Sequence, residues 1–173
     1  MNTSHIIYCG GTFSFDYQIE GFKAKAEDDY RAILLGSVDT LLRPKNMNGV
    51  IINQNVSYIG PFYFESENMV AEEIVSCEKQ MIEKCTDAIF FLDEAACPGS
   101  IAEMIYANTL QKKIHIFYVR NTDEEETESS LHTPCWYPIL FCQMTNSRVT
   151  LYSCASQEDA KRQIVELVKC ALL

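Results

Sequence analysis

The chain is short of positive charge. Lysine and arginine number 14 against 24 acids, which gives a formal charge of -10 and a pI near 4.7. No basic stripe can neutralise a row of phosphates, so a nucleic-acid-binding surface is excluded. A small phosphorylated ligand is not, because backbone amides at a helix start hold a phosphate without lysines. Histidine is scarce too. His5, His115 and His132 share no ligand spacing, so a zinc site is not expected. No apolar run approaches about 18 residues, the length needed to span a membrane as a helix. The opening "MNTSHIIYCGG" has no basic stretch followed by a long apolar one, and the expected location is the cytoplasm. Of the eight cysteines none forms a C-x-x-C pair, so in a reducing compartment they read as small core residues.

What is there points to one globular domain over residues 1–173, with 47% hydrophobic residues to build its core. "NTDEEETESS" (121–130) reads as a solvated loop. "HIIYC", "GVII", "YIGPFYF", "AIFFL", "KIHIFYV" and "RVTLYSC" have strand character. Helical spacing is expected over 21–42, 66–85 and 101–111 and after Ser156, a predicted N-cap. Alternating strands and helices mean an α/β fold, a parallel Rossmann-like sheet of about five strands with helices on both faces.

In such a sheet ligands bind beyond the carboxyl ends of the strands. Two segments should open there. "CGGTFSFDY" offers the backbone of Gly10 and Gly11 and the Thr12 hydroxyl, and "DEAACPGSIAEM" offers Asp93, Cys97, Gly99, Ser100 and Glu103. Amides, hydroxyls and a carboxylate suit a polar sugar. Each has a plainer reading. The double glycine serves a tight strand-to-helix turn. Ser100 and Glu103 form S-x-x-E, a capping box in which the glutamate reaches back to a backbone amide. Cys97 near a helix start could be an activated thiolate, but no histidine is close in sequence. Tyr8 within an apolar strand reads as core.

The stretch "YIGPFYF", followed by "CTDAIFFLDEAACPGSIAEMIYANTLQKKIHIFYV", resembles the nucleoside 2-deoxyribosyltransferase-like proteins. The matching features are Asp87, the acidic strand end at Asp93, the turn Pro98-Gly99-Ser100, Glu103 with Ala107, and Lys112-Lys113 before the next strand. "IIYCGGTFS" resembles the family's opening strand and loop, and the likeness is weakest from Gln18 to Asn48. The resemblance implies a flavodoxin-like fold and cleavage of an N-glycosidic bond. Glu103 would be the nucleophile that forms a covalent sugar ester, with Tyr8 positioning it. Glu78 would contact the base or aid its departure. Cys97 stands where the family carries an aspartate or serine that holds the sugar, a departure because a thiol is a poor hydrogen-bond partner.

The resemblance implies a nucleoside or nucleotide as substrate, no metal or redox cofactor, and a homo-oligomer in which a neighbouring subunit completes the pocket. Transfer of the sugar to a second base and its hydrolysis by water remain equally open. The competing reading is a non-catalytic nucleoside- or nucleotide-binding module of the same fold, with Glu103 as a helix cap.

Overall fold

The computed structural model describes residues 5–11, 28–41, 49–62, 70–92, 98–120 and 135–171. Strand β1 is His5–Gly11, and helices α1 (Tyr30–Leu35) and α2 (Val38–Leu41) follow. Next come β2 (Val50–Ile51), β3 (Val56–Gly60), α3 (Ala71–Lys84), β4 (Asp87–Leu92), α4 (Pro98–Thr109) and β5 (Lys113–Val119). The chain closes with α5 (Trp136–Thr145), β6 (Val149–Cys154), α6 (Gln157–Glu166) and a π-helical turn, Leu167–Ala171.

These strands form one sheet in the order β2-β3-β1-β4-β5-β6, parallel throughout except for β2. The α/β class and the parallel sheet are as expected. The sixth strand is the two-residue β2, an antiparallel edge piece beside β3. Strand β4 explains its own sequence: it lies between β1 and β5 with all six residues buried, which requires a continuous apolar run rather than alternation. Burying a side chain such as Ile89 fully contributes roughly 1.5–3 kcal/mol. Helix α1 packs on α6, while α3 packs on α4 and α4 on α5. With right-handed crossovers these two groups cover opposite faces of the sheet.

Some boundaries differ from expectation. The single helix over 21–42 is, within the described residues, two short ones. Gly36 at φ 71° closes α1 in a left-handed cap and turns the chain into α2. Helix α3 begins at Ala71, and Ser66, the expected cap, lies outside the described residues. The Ser156 cap is present: its hydroxyl accepts from the Asp159 amide. Cys9, Cys85, Cys135, Cys142 and Cys154 are buried free thiols of the core. No helix among the described residues is long and apolar enough to cross a membrane.

Candidate active site

The strand order reverses between β1 and β4, one running toward β3 and the other toward β5. A crevice opens at such a point, beyond the carboxyl ends of the two strands. Helix α4 starts there with Pro98, whose fixed φ and missing N–H suit the first helical position. Ser100 is therefore the third residue of the helix and is buried, not a residue ahead of it. That removes the capping-box reading, since Glu103 lies in the second turn, too far along to reach a free amide at the helix start.

Instead Glu103 faces β1. A methyl group built on Gly10 would come within 2.9 Å of Glu103 Oε2 and within 2.5 Å of the Phe90 ring. Gly10 and Gly11 do not form a turn, as one reading of the sequence has it. Both remain in β1, paired with Phe90 and Phe91 of β4, and glycine is needed at position 10 for close approach rather than for a left-handed backbone. Side chains alternate along a strand, so Tyr8 shares the face of Gly10. Tyr8 is fully buried. Its phenol is close enough to Glu103 to favour the carboxylate, yet the contact falls short of full hydrogen-bond geometry.

Burial is the main reason the Glu103 carboxyl is pushed up to about 7, and the charge of Glu78 adds to it. Tyr8 and Arg31 act in the opposite sense. Glu78, half-buried on α3, has its own carboxyl raised by burial. The Tyr8 phenol is raised first by burial, then by Glu103 and Glu78. Two carboxyl groups and a phenol thus share one weakly solvated region, the kind of place where acid–base and nucleophilic groups are tuned.

Tyr8, Gly10, Glu78 and Glu103 are thereby brought together, with Gly99 and Ser100 at the start of the same helix as Glu103, whereas a side chain on Gly11 would face Tyr30 on the other side of the sheet. Gly99 is exposed, and a side chain there would meet open space. Thr12, Asp93 and Cys97 lie outside the described residues. Sequence reasoning missed Asp29, Tyr30 and Arg31. Tyr30 donates to the Gly10 carbonyl at 3.1 Å, and buried Arg31 donates to the Cys9 carbonyl at 3.3 Å. The signal that was available is the double glycine, which marks a strand end that other groups approach closely.

Asp87 and its partners lie at the amino-terminal end of the central strands, away from Glu103. Its carboxylate accepts from Thr86 Oγ1 at 2.7 Å, pairs with His5 Nδ1 at 2.9 Å, and lies 3.3 Å from Lys113 Nζ. Two shallow grooves, one on the outer face of α3 and one between α1 and β2, do not include Glu103.

No model of a known protein family matches the chain, and no curated protein does. Among solved structures it is similar to a CMP N-glycosidase from Clostridium botulinum, at 11% identity and a TM-score of 0.49 over 92% of this chain and 96% of that one. It is also similar to a 2-desoxiribosyltransferase from Leishmania mexicana, at 17% identity and a TM-score of 0.50 over 94% and 97% of the two chains. The chain has a nucleoside 2-deoxyribosyltransferase-like fold.

Proposed function

We propose that the protein cleaves the N-glycosidic bond of a nucleoside or nucleotide, with Glu103 as the nucleophile. The observation that carries this reading is the placement of Glu103. A carboxyl group raised to about 7 packs on the glycine end of β1, beside Tyr8 and Glu78, at the switch point of the sheet. The Glu103 carboxylate attacks the anomeric carbon. The bond from that carbon to the base nitrogen breaks, and its electron pair leaves on the base. In this reading Glu78, its own carboxyl raised by burial, contacts the base, and the departing base takes up a proton from solvent. The sugar ester then passes to a second base or to water. Tyr8 orients the nucleophile. Gly10, Gly11, Thr12, Asp93, Cys97, Gly99 and Ser100 form the sugar cradle in this reading.

The likeness to a 2-desoxiribosyltransferase supports the fold on which this chemistry is proposed. A single domain over 1–173 and a homo-oligomer belong to the same proposal. The test is base release from a panel of deoxy- and ribonucleosides and their 5′-monophosphates, with and without a second free base. Release lost in Glu103→Gln supports the nucleophile, and exchange between bases selects transfer over hydrolysis. No turnover across the panel, with thermal stabilisation by one compound, replaces the enzyme with a binding module.

A further inference from the structure

The end of β1 is gripped from both sides of the sheet. Strand β3 finishes at Gly60, which pairs with Tyr8, so Cys9, Gly10 and Gly11 keep a strand partner only on β4. Helix α1 supplies the missing contacts. The Tyr30 hydroxyl holds the Gly10 carbonyl, and Arg31 Nη1 holds the Cys9 carbonyl. A methyl group on Gly11 would lie 3.7 Å from the Tyr30 hydroxyl, whereas one on Gly10 would meet Glu103. The two glycines thus form a thin partition with α1 on one face and the carboxylate on the other. Arg31 is itself locked: Nε and Nη2 donate to the two carboxylate oxygens of Asp29 at 2.8 and 2.7 Å. Asp29 also caps α1 by accepting from the Arg31 amide at 2.8 Å. This planar fork fixes the direction of the guanidinium in a way a lysine could not.

We infer that the Asp29–Arg31 pair is a positioning device for Glu103, holding the end of β1 as the shelf on which the carboxylate packs and setting the charge behind that shelf. The inference rests on the reading of Glu103 as the reacting carboxylate. Among the described residues, the groups whose charge or hydrogen bonding reaches Glu103 are Tyr8 from β1, Glu78 from α3 and Arg31 from α1. Tyr8 offers a neutral hydroxyl, and Glu78 opposes ionisation. Arg31 is the cation of the set, and Asp29 partly offsets it.

The pair therefore has a signature with two opposite signs. Removing the cation in Arg31→Met moves Glu103 titration to higher pH. Asp29→Asn leaves the guanidinium less neutralised and moves it to lower pH. Arg31→Lys restores the charge without the fork, so the titration returns toward that of the parent while kcat stays reduced and KM changes little. Glu103 is followed directly by NMR of protein carrying isotope-labelled glutamate, its resonance identified by loss in Glu103→Gln. The acid limb of kcat/KM for base release is measured in parallel. Shifts of equal sign in the two charge variants, or an unmoved titration with only a lower melting temperature, overturn the inference. Should Arg31→Met not fold, Asp29→Asn and Arg31→Lys retain the test, and an unmoved titration in Asp29→Asn overturns it. Opposite shifts in the NMR titration without turnover by any variant support the electrostatic device while overturning the glycosidic reading of the site.

Discussion

Replacing Glu103 with glutamine tests the site without requiring a substrate. The ordinary value for its carboxyl is 4.5 and the folded protein raises it to about 7, chiefly through burial and then through Glu78. A folded-state pKa above the unfolded one means that ionisation favours unfolding. Below about 4.5 both states are protonated and no penalty exists. As pH rises toward 7 the unfolded chain releases the proton while the folded one keeps it, so stability falls, and above 7 the penalty is complete. A difference of about 2.5 pH units corresponds to about 3 kcal/mol at roughly 1.4 kcal/mol per unit. Glutamine keeps the shape and never ionises. Glu103→Gln is therefore more stable than the parent by about 3 kcal/mol at pH 8.5 and equal to it near pH 4. Urea unfolding at the two pH values measures this, with base release recorded on the same preparations. A variant no more stable than the parent at pH 8.5, or one whose advantage is independent of pH, refutes the assignment of a half-buried, charge-repelled carboxylate.

The pH dependence of kcat/KM carries the same information through activity. Its acid limb falls near pH 7, because the nucleophile must be ionised, and Glu78→Gln moves that limb to lower pH by removing a repelling charge while lowering kcat. Gly10→Ala drives a methyl group against Phe90 and Glu103 Oε2. It costs about 1–3 kcal/mol in chemical denaturation and roughly 100-fold in base release, through displacement of the reacting group. Asp87→Asn acts at the amino-terminal end of β4. Against burial, which raises it, His115, His5, Thr86 and Lys113 together hold the Asp87 carboxyl well below the usual carboxylate range, so the stability it contributes is present above about pH 4 and lost as pH falls. The variant loses about 3 kcal/mol at neutral pH in urea unfolding and keeps the parent's pH–rate profile.

How much of this was legible follows from where the information sits. "AIFFL" and "KIHIFYV" declare themselves because a central parallel strand has no polar face, and Ser156 with Glu158 and Asp159 declares a helix start. Helix α5 hides for the opposite reason. Trp136, Tyr137, Phe141 and Met144 are all exposed on it, so its apolar residues do not trace the buried face. The division of 21–42 turns on one backbone angle at Gly36, which composition does not reveal. The double glycine was visible as a feature, but its purpose depends on Phe90 and Glu103, some eighty and ninety residues further along the chain.

The ambiguity of Glu103 itself had a local origin and a non-local resolution. Ser100 and Glu103 satisfy the spacing of a helix-capping pair, and nothing within that tetrapeptide contradicts it. The resolution comes from Pro98, which starts the helix two residues earlier and turns the glutamate away from the free amides. What the side chain meets instead comes from three distant segments: Tyr8, Glu78 and, behind the β1 glycines, Arg31. A glutamate retained only for helix stability belongs in solvent, where its charge costs nothing. Here the carboxyl is half-buried beside a second carboxyl, and no ion pair to it is present among the described residues. The fold thus bears a penalty of about 3 kcal/mol above neutral pH for an acid that caps nothing. Such a penalty has a physical rationale if the carboxylate spends it on an electron-poor sugar carbon, where positive charge develops as the base departs and the repulsion from Glu78 is relieved.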